Sequence, residues 1–155
     1  MKTAVLLDSG SNYYNENINI PGIYAVPLQI IEGEKSYLES VEISIEEVNE
    51  KMKEGIRIQT SLPVLGQIEH LFQEIKKDGY ESILAVPITS GLSGTIQAMQ
   101  NAADIAEIKI DFIDCYTTMY IQLYCGLRAR DLLDEGKSIQ EIKNTLKEAI
   151  LNSNT

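Results

Sequence analysis

Two cysteines, one histidine and no long apolar run leave several protein classes out of reach. Cys115 and Cys125 are not spaced as a metal pair and are too few for a disulfide framework, so reduced thiols and a cytoplasmic setting are the default expectation. His70 alone cannot complete a zinc site with them. No apolar stretch approaches the 18 residues of a membrane-spanning helix. The amino terminus reads as lacking a secretory leader, because Thr3-Ala4-Val5-Leu6-Leu7 breaks at Asp8. Basic residues are scarce as well: 13 Lys and Arg stand against 23 Asp and Glu, a net charge of −10. That balance speaks against nucleic acid and anionic membrane surfaces, which both need clustered cations.

What is present suits a folded domain. The 155 residues, 44% hydrophobic, are enough for one core without staples. Residues 32–54 hold eight glutamates and three lysines, half the net charge. The stretch reads first as a solvated face, and second as a docking surface for a basic partner.

Periodicity lays out alternating elements. Thr3–Leu7 reads as a buried strand, followed by a turn cluster at Asp8-Ser9-Gly10-Ser11-Asn12. Ile23–Ile31 reads as a second strand, with Lys35–Leu38 pairing back as a hairpin. Ser44-Ile45-Glu46-Glu47 is a capping box opening a helix to about Glu54. Thr60-Ser61-Leu62-Pro63 reads as a loop, with Pro63 in the first turn of the next helix. In that helix Ile68, Leu71, Phe72 and Ile75 fall at i, i+3, i+4 and i+7. Ser82–Ile88 predicts a strand of a parallel sheet with Pro87 at its end. A helix follows from about Thr95 to Ala106, then a strand over Lys109–Ile113 and a helix from about Met119 to Glu135. Ser138-Ile139-Gln140-Glu141 caps the last helix. This order predicts an α/β fold: a mostly parallel sheet covered by helices on both faces, with a small β-hairpin, and ligands at the carboxyl ends of the strands.

The loops that gather at that edge carry the candidate site. Ser90-Gly91-Leu92-Ser93-Gly94-Thr95 is the richest. Its glycines let backbone approach a ligand, and the helix behind it offers free amides and a positive dipole end. The stretch reads equally as an anion cradle and as an N-cap in a tight turn. A nucleophilic Ser93 would need a Gly where Thr95 stands and a histidine nearby. His70 lies about 150° from the apolar stripe of its helix and points to solvent. Asp8 at a strand end invites comparison with aspartyl phosphotransfer, but no second acid stands two residues on. Its preferred role is to hold neighbouring amides. No Gly-x-x-x-x-Gly-Lys-[Ser/Thr] and no Gly-x-Gly-x-x-Gly occurs, against nucleotide binding.

Taken in order, Val5-Leu6-Leu7-Asp8-Ser9, Val26-Pro27-Leu28, Thr60-Ser61-Leu62-Pro63 and Ser90-Gly91-Leu92-Ser93-Gly94-Thr95 resemble the amino-terminal half of the DegV family, bacterial fatty-acid-binding proteins. Asp134-Glu135-Gly136-Lys137-Ser138 and the helix after it fit too. The resemblance implies an α/β lobe spanning 1–155, without the second lobe that roughly doubles family members. It implies a long-chain fatty acid such as palmitate or oleate as ligand, with its carboxylate between two loops. Thr60 and Ser93 are then the hydroxyl donors. Ser61, Gly94, Thr95, Ser90 and Gly91 lie beside them, and Asp8 and Ser9 stand at the neighbouring strand end. No catalytic residue, metal or cofactor is implied, and the partner is a separate fatty-acid kinase that makes the acyl phosphate. The runner-up is a phosphotransfer or acyl-transfer enzyme centred on Asp8 or Ser93. Departures are Leu62-Pro63-Val64 where the family has Gln-Pro-Ser, Pro87 within a strand, and Cys115 after Asp114.

Overall fold

A computed structural model describes residues 2–11, 13–14, 19–87, 93–113 and 119–153. Seven strands and five helices follow one another among them: β1 (Thr3–Asp8), β2 (Ile23–Val26), β3 (Gln29–Glu32), β4 (Lys35–Leu38), α1 (Ile45–Lys53), β5 (Gln59–Ser61), α2 (Leu65–Lys77), β6 (Ser82–Val86), α3 (Ser93–Ala106), β7 (Lys109–Phe112), α4 (Met119–Asp134) and α5 (Ile139–Ser153). β1, β2, β6 and β7 form a parallel sheet in the order β2-β1-β6-β7. β3 pairs antiparallel with both β4 and β5 in a second, three-stranded sheet.

The parallel sheet is covered on both faces, as its apolar runs predict. Alternation of side chains along a strand divides each run between two cores. Ala4 and Leu6 of β1, with Ile83 and Ala85 of β6, pack against Ile68, Phe72 and Ile75 of α2 and Met99, Ala102 and Ala103 of α3. Val5, Leu7, Leu84 and Val86 face the other way, onto Leu123, Ala129 and Leu132 of α4 and Ile142 and Leu146 of α5. α4 packs closely on β1 at Gly126. A Cβ there would stand 2.6 Å from Leu7 Cδ2, so any larger residue would have to push the Leu7 side chain aside.

The capping box of α1 forms, and Ser138 caps α5 through its hydroxyl. Glu47 N donates to Ser44 Oγ at 3.1 Å, and Glu141 N donates to Ser138 Oγ at 3.2 Å. α1 buries none of its side chains and is tied to the small sheet by Lys51–Glu32 at 3.0 Å. Glu34, Glu42, Glu46, Glu47, Glu50 and Glu54 are exposed, the solvated face of the acidic stretch.

Four features differ from the sequence reading. The strand expected over 23–31 is two strands, because Pro27 offers no N–H and the Leu28 N–H turns to Ser9 Oγ at 2.8 Å. The chain thereby passes from one sheet to the other. Thr60 and Ser61 are not in a loop: they pair with Ile30 and Gln29 as β5. Pro63 precedes the first turn of α2, whose N-cap is Val64. α3 begins at Ser93, two residues before the predicted start.

At the opposite edge of the sheet a single buried cation ties three elements. Arg130 Nη1 donates to the carbonyls of Thr3 (2.8 Å) and Gly22 (3.0 Å), while Nη2 meets Asp134 Oδ1 at 3.0 Å. Gly22 has φ +85°, and a Cβ on it would stand 2.6 Å from Arg130 Nη1.

Candidate functional site

In the order β2-β1-β6-β7, the strand that follows β1 lies on one side of the β1–β6 pair and the strand that follows β6 lies on the other. In an open parallel sheet this divergence creates the crevice where ligands bind, outside the carboxyl ends of the strands. Asp8 closes β1 and Val86 closes β6. Gln122 of α4 bridges them, its Nε2 donating to Asp8 Oδ1 at 3.0 Å and to the Val86 carbonyl at 2.9 Å. Gln122 is wholly buried, and its Oε1 has no partner among the described residues. Sequence reasoning passed over Gln122. The available signal was a polar residue set among Ile121, Leu123 and Cys125 on an apolar helix.

Asp8 is 0% exposed. Besides Gln122, Oδ1 accepts from the Gly10 amide at 2.9 Å, and the Asp8 carbonyl accepts from Ser11 Oγ at 2.7 Å. This is the loop-holding role preferred for it. Ser9 is a hub: its hydroxyl donates to Glu39 Oε1 at 2.7 Å and accepts from Leu28 N. Its one proton is therefore engaged, and Ser9 supports the edge by fastening β1 to the small sheet. Tyr14 donates to the Ala25 carbonyl at 3.2 Å. Burial, then Tyr13 and Asp8, push its phenol up to about 12.

Of the hydroxyl-bearing segments, Thr60 and Ser61 stand on β5, Thr60 exposed and Ser61 half-buried. Leu62 carries this segment to the start of α3: a Cβ on Gly94 would lie 3.0 Å from Leu62 Cδ2 and 3.2 Å from Cδ1. The Leu62 carbonyl accepts from Gln29 Nε2 at 2.8 Å. Ser93, Gly94 and Thr95 make up the first turn of α3, which contains no acidic residue. The leading amides of a helix have no intrahelical acceptor and carry its positive end. Thr95 is wholly buried, and its Oγ1 has no partner among the described residues. Ser90 and Gly91 lie outside the described residues, as does Cys115.

The structure thus brings Leu62, the residue after Thr60 and Ser61, against Gly94 at the start of α3, while Asp8 and Ser9 brace the end of β1. Ser93 has its backbone in α3, but its side chain lies outside the described residues. His70 stands on the outside of α2 with 77% of its side chain exposed, paired with Glu74 at 3.1 Å. Among the described residues no three or more His, Cys, Asp or Glu side chains gather as metal ligands do, and no helix is long and apolar enough to cross a membrane.

A parallel sheet covered by helices on both faces, with a small antiparallel sheet beside it, defines the class: an α/β fold of layered type. Residues 2–155 match the family described as "Uncharacterised protein, DegV family", and the chain belongs to that family. A DegV domain-containing protein of Staphylococcus aureus is 30% identical over 146 residues, covering 94% of this chain and 52% of the relative. The solved structure of a fatty acid binding DegV family protein from Streptococcus agalactiae superposes with a TM-score of 0.80 at 27% identity, over 97% of this chain and 54% of that one. DegV from Bacillus subtilis, described as a fatty acid binding protein, gives 0.78 at 27% identity over the same shares. The chain spans about half the length of the relatives it matches.

Proposed function

We propose that this chain binds a long-chain fatty acid, such as palmitate or oleate, by its carboxylate. Thr60 and Ser93 donate hydroxyls, and Ser61, Ser90, Gly91, Gly94 and Thr95 shape the cradle with backbone amides at the head of α3. Asp8 and Ser9 hold the neighbouring strand end. The observation that supports the reading is that Leu62, the residue after Thr60 and Ser61, packs its side chain against Gly94 in the first turn of α3. The description of relatives from Streptococcus agalactiae and Bacillus subtilis as fatty acid binding supports it.

The site binds and does not transform. Neutral donors and a helix amino terminus stabilise a carboxylate but offer no base to activate a nucleophile. The bound acid is presented in the cytoplasm to a separate kinase, which transfers the γ-phosphoryl group of ATP to a carboxylate oxygen and releases ADP. Residues 1–155 form the carboxylate-binding lobe, and the further length seen in relatives covers the acyl tail. Organic extraction of the purified protein followed by mass spectrometry tests the binding. A stoichiometric C16–C18 acid, or uptake of added oleate, is expected; the absence of both overturns the proposal.

A further inference from the structure

A cavity of about 330 Å³ opens at the amino-terminal edge of the parallel sheet, where Lys2 leads into β1, Tyr80 precedes β6 and α4 ends. Three donors line it. Arg130 is set deepest, only 7% exposed. Its Nη1 gives both hydrogens to the Thr3 and Gly22 carbonyls. Nε donates to Asp134 Oδ1 at 3.2 Å, and Nη2 stands 3.0 Å from that same oxygen. A guanidinium carries five N–H groups, so at least one on Nη2 has no acceptor among the described residues. The Tyr80 hydroxyl, too, has no hydrogen-bond partner among the described residues, while its ring is held edge-on to Tyr24 at 5.9 Å. The Lys2 ammonium lies 4.4 Å from the centroid of that ring and pairs with no carboxylate among the described residues.

Gly22 keeps the meeting point of two of these donors bare. A Cβ on it would stand 2.6 Å from Arg130 Nη1 and 2.9 Å from Tyr80 Oη, so guanidinium and phenol converge on one spot that no side chain fills. Cations outnumber acids around the cavity. Lys2 and Arg130 line it against Asp134 alone, whose side chain is 66% exposed. In a chain of net charge −10 this is a local reversal of sign. An exposed carboxylate holds its partner weakly, so an incoming anion can take its place on Nη2.

The donors come from three separate segments and include a guanidinium, an ammonium and a hydroxyl. A tetrahedral phosphate has a terminal oxygen for each of them, and charge-assisted bonds to Arg and Lys are the strong ones. Pro21, Leu133 and the Tyr80 ring add apolar wall. The volume falls at the lower end of small-molecule sites, roughly 300–1,000 Å³. It leaves room for a small organic body behind the phosphate.

We propose that this cavity is a phosphate site, built by Arg130, Tyr80 and Lys2, for a small phosphate monoester. It lies at the edge of the sheet opposite the one assigned to the fatty-acid carboxylate and does not depend on that reading.

Calorimetric titration of inorganic phosphate and of phenyl phosphate into this chain tests it, with amide chemical shifts to locate the anion and thermal melting to control for folding. One equivalent should bind, with shifts at Lys2, Gly22 and Tyr80. Tighter phenyl phosphate assigns the apolar walls to an ester, whereas equal affinities assign the site to phosphate itself. Tyr80→Phe keeps the ring, removes the donor and should weaken binding about tenfold. Lys2→Met should weaken it about two- to fivefold, and Asp134→Asn, which removes the competing carboxylate, should tighten it by a similar factor. Binding of neither anion overturns the proposal. So do shifts confined to the start of α3, or affinities unchanged in both Tyr80→Phe and Lys2→Met.

Discussion

Ser9 Oγ donates to Glu39 Oε1 at 2.7 Å while accepting the Leu28 amide at 2.8 Å. One hydroxyl thus fastens the carboxyl end of the central strand to the turn after β4 and to the crossing between the two sheets. The small sheet that carries Thr60 and Ser61 hangs on this junction. Ser9→Ala leaves the buried Leu28 amide without its acceptor, at a cost of about 1–3 kcal/mol. Glu39→Gln retains an acceptor for the Ser9 proton and should cost less. Urea denaturation of both variants checks this, and an unchanged midpoint in Ser9→Ala would remove the junction from the account.

Arg130 offers a second comparison. Its guanidinium is buried on two main-chain carbonyls, whereas the Asp134 side chain that meets it is 66% exposed. Arg130→Met should therefore cost about 3–5 kcal/mol, because two buried acceptors lose a charged donor. Asp134→Asn should cost no more than about 1 kcal/mol, as exposed ion pairs do. Equal losses in the two variants, read by thermal melting, would mean that the ion pair and not the carbonyl brace carries the stability.

Gly126→Ala sets a methyl group 2.6 Å from Leu7 Cδ2, inside a core with no slack. Helix propensity favours alanine by about 0.8–1 kcal/mol, so a surface glycine here would gain from the change. Overpacking costs about 1–3 kcal/mol and should win. A raised melting temperature would show that α4 has room to move away from β1.

Alkaline pH should loosen the lobe at Tyr14. Burial raises its phenol to about 12 from 10.0, so the folded form binds this proton more tightly than the unfolded chain does. The stabilisation is complete below pH 10 and is lost as pH climbs toward 12. Tyr24, also raised by burial and by its bond to Asp78, acts in the same direction. Tyr14→Phe should be less stable at neutral pH by about 1 kcal/mol, for the lost bond to Ala25, and should lose less on going from pH 9 to 11. Parallel denaturation curves for the two proteins across that range would contradict the role of Tyr14.

At the proposed site, Thr60→Ala and Ser93→Ala each remove one neutral donor to a charged group, about 1.5–3 kcal/mol of binding. Fluorescent fatty-acid displacement should register a roughly tenfold or greater rise in Kd for each, with the melting temperature of ligand-free protein little changed. Unaltered affinity in the double variant would move the carboxylate elsewhere.

Much of the fold was legible because its signals are local. The apolar runs at 3–7 and 82–86 are buried strands. The 3.6-residue spacing of Ile68, Phe72 and Ile75 faces a core, and Ser44 and Ser138 cap helices as their glutamates three residues on predict. The candidate site was legible in part. Thr60, Ser61, Gly94 and Thr95 stand out as hydroxyl- and glycine-bearing segments, but nothing in their order revealed that Leu62 packs on Gly94. The proline at 27 was visible, yet its consequence was not: the strand expected over 23–31 passes from one sheet to another because a serine 19 positions earlier takes the Leu28 amide.

The sequence by itself determined the alternation of the helices with the strands of the parallel sheet, which face of each is apolar, and the family. Each depends on chemistry within a few residues, where period, caps and turn residues act directly. Only the tertiary structure decided the second sheet, the hub at Ser9, the bridge of Gln122 across Asp8 and Val86, and the apolar flank that Leu62 lays on Gly94. A buried polar group takes whichever partner the packed chain brings within 3 Å, and for Gln122 that partner is 114 positions away. No local pattern encodes such a distance; closing the core does.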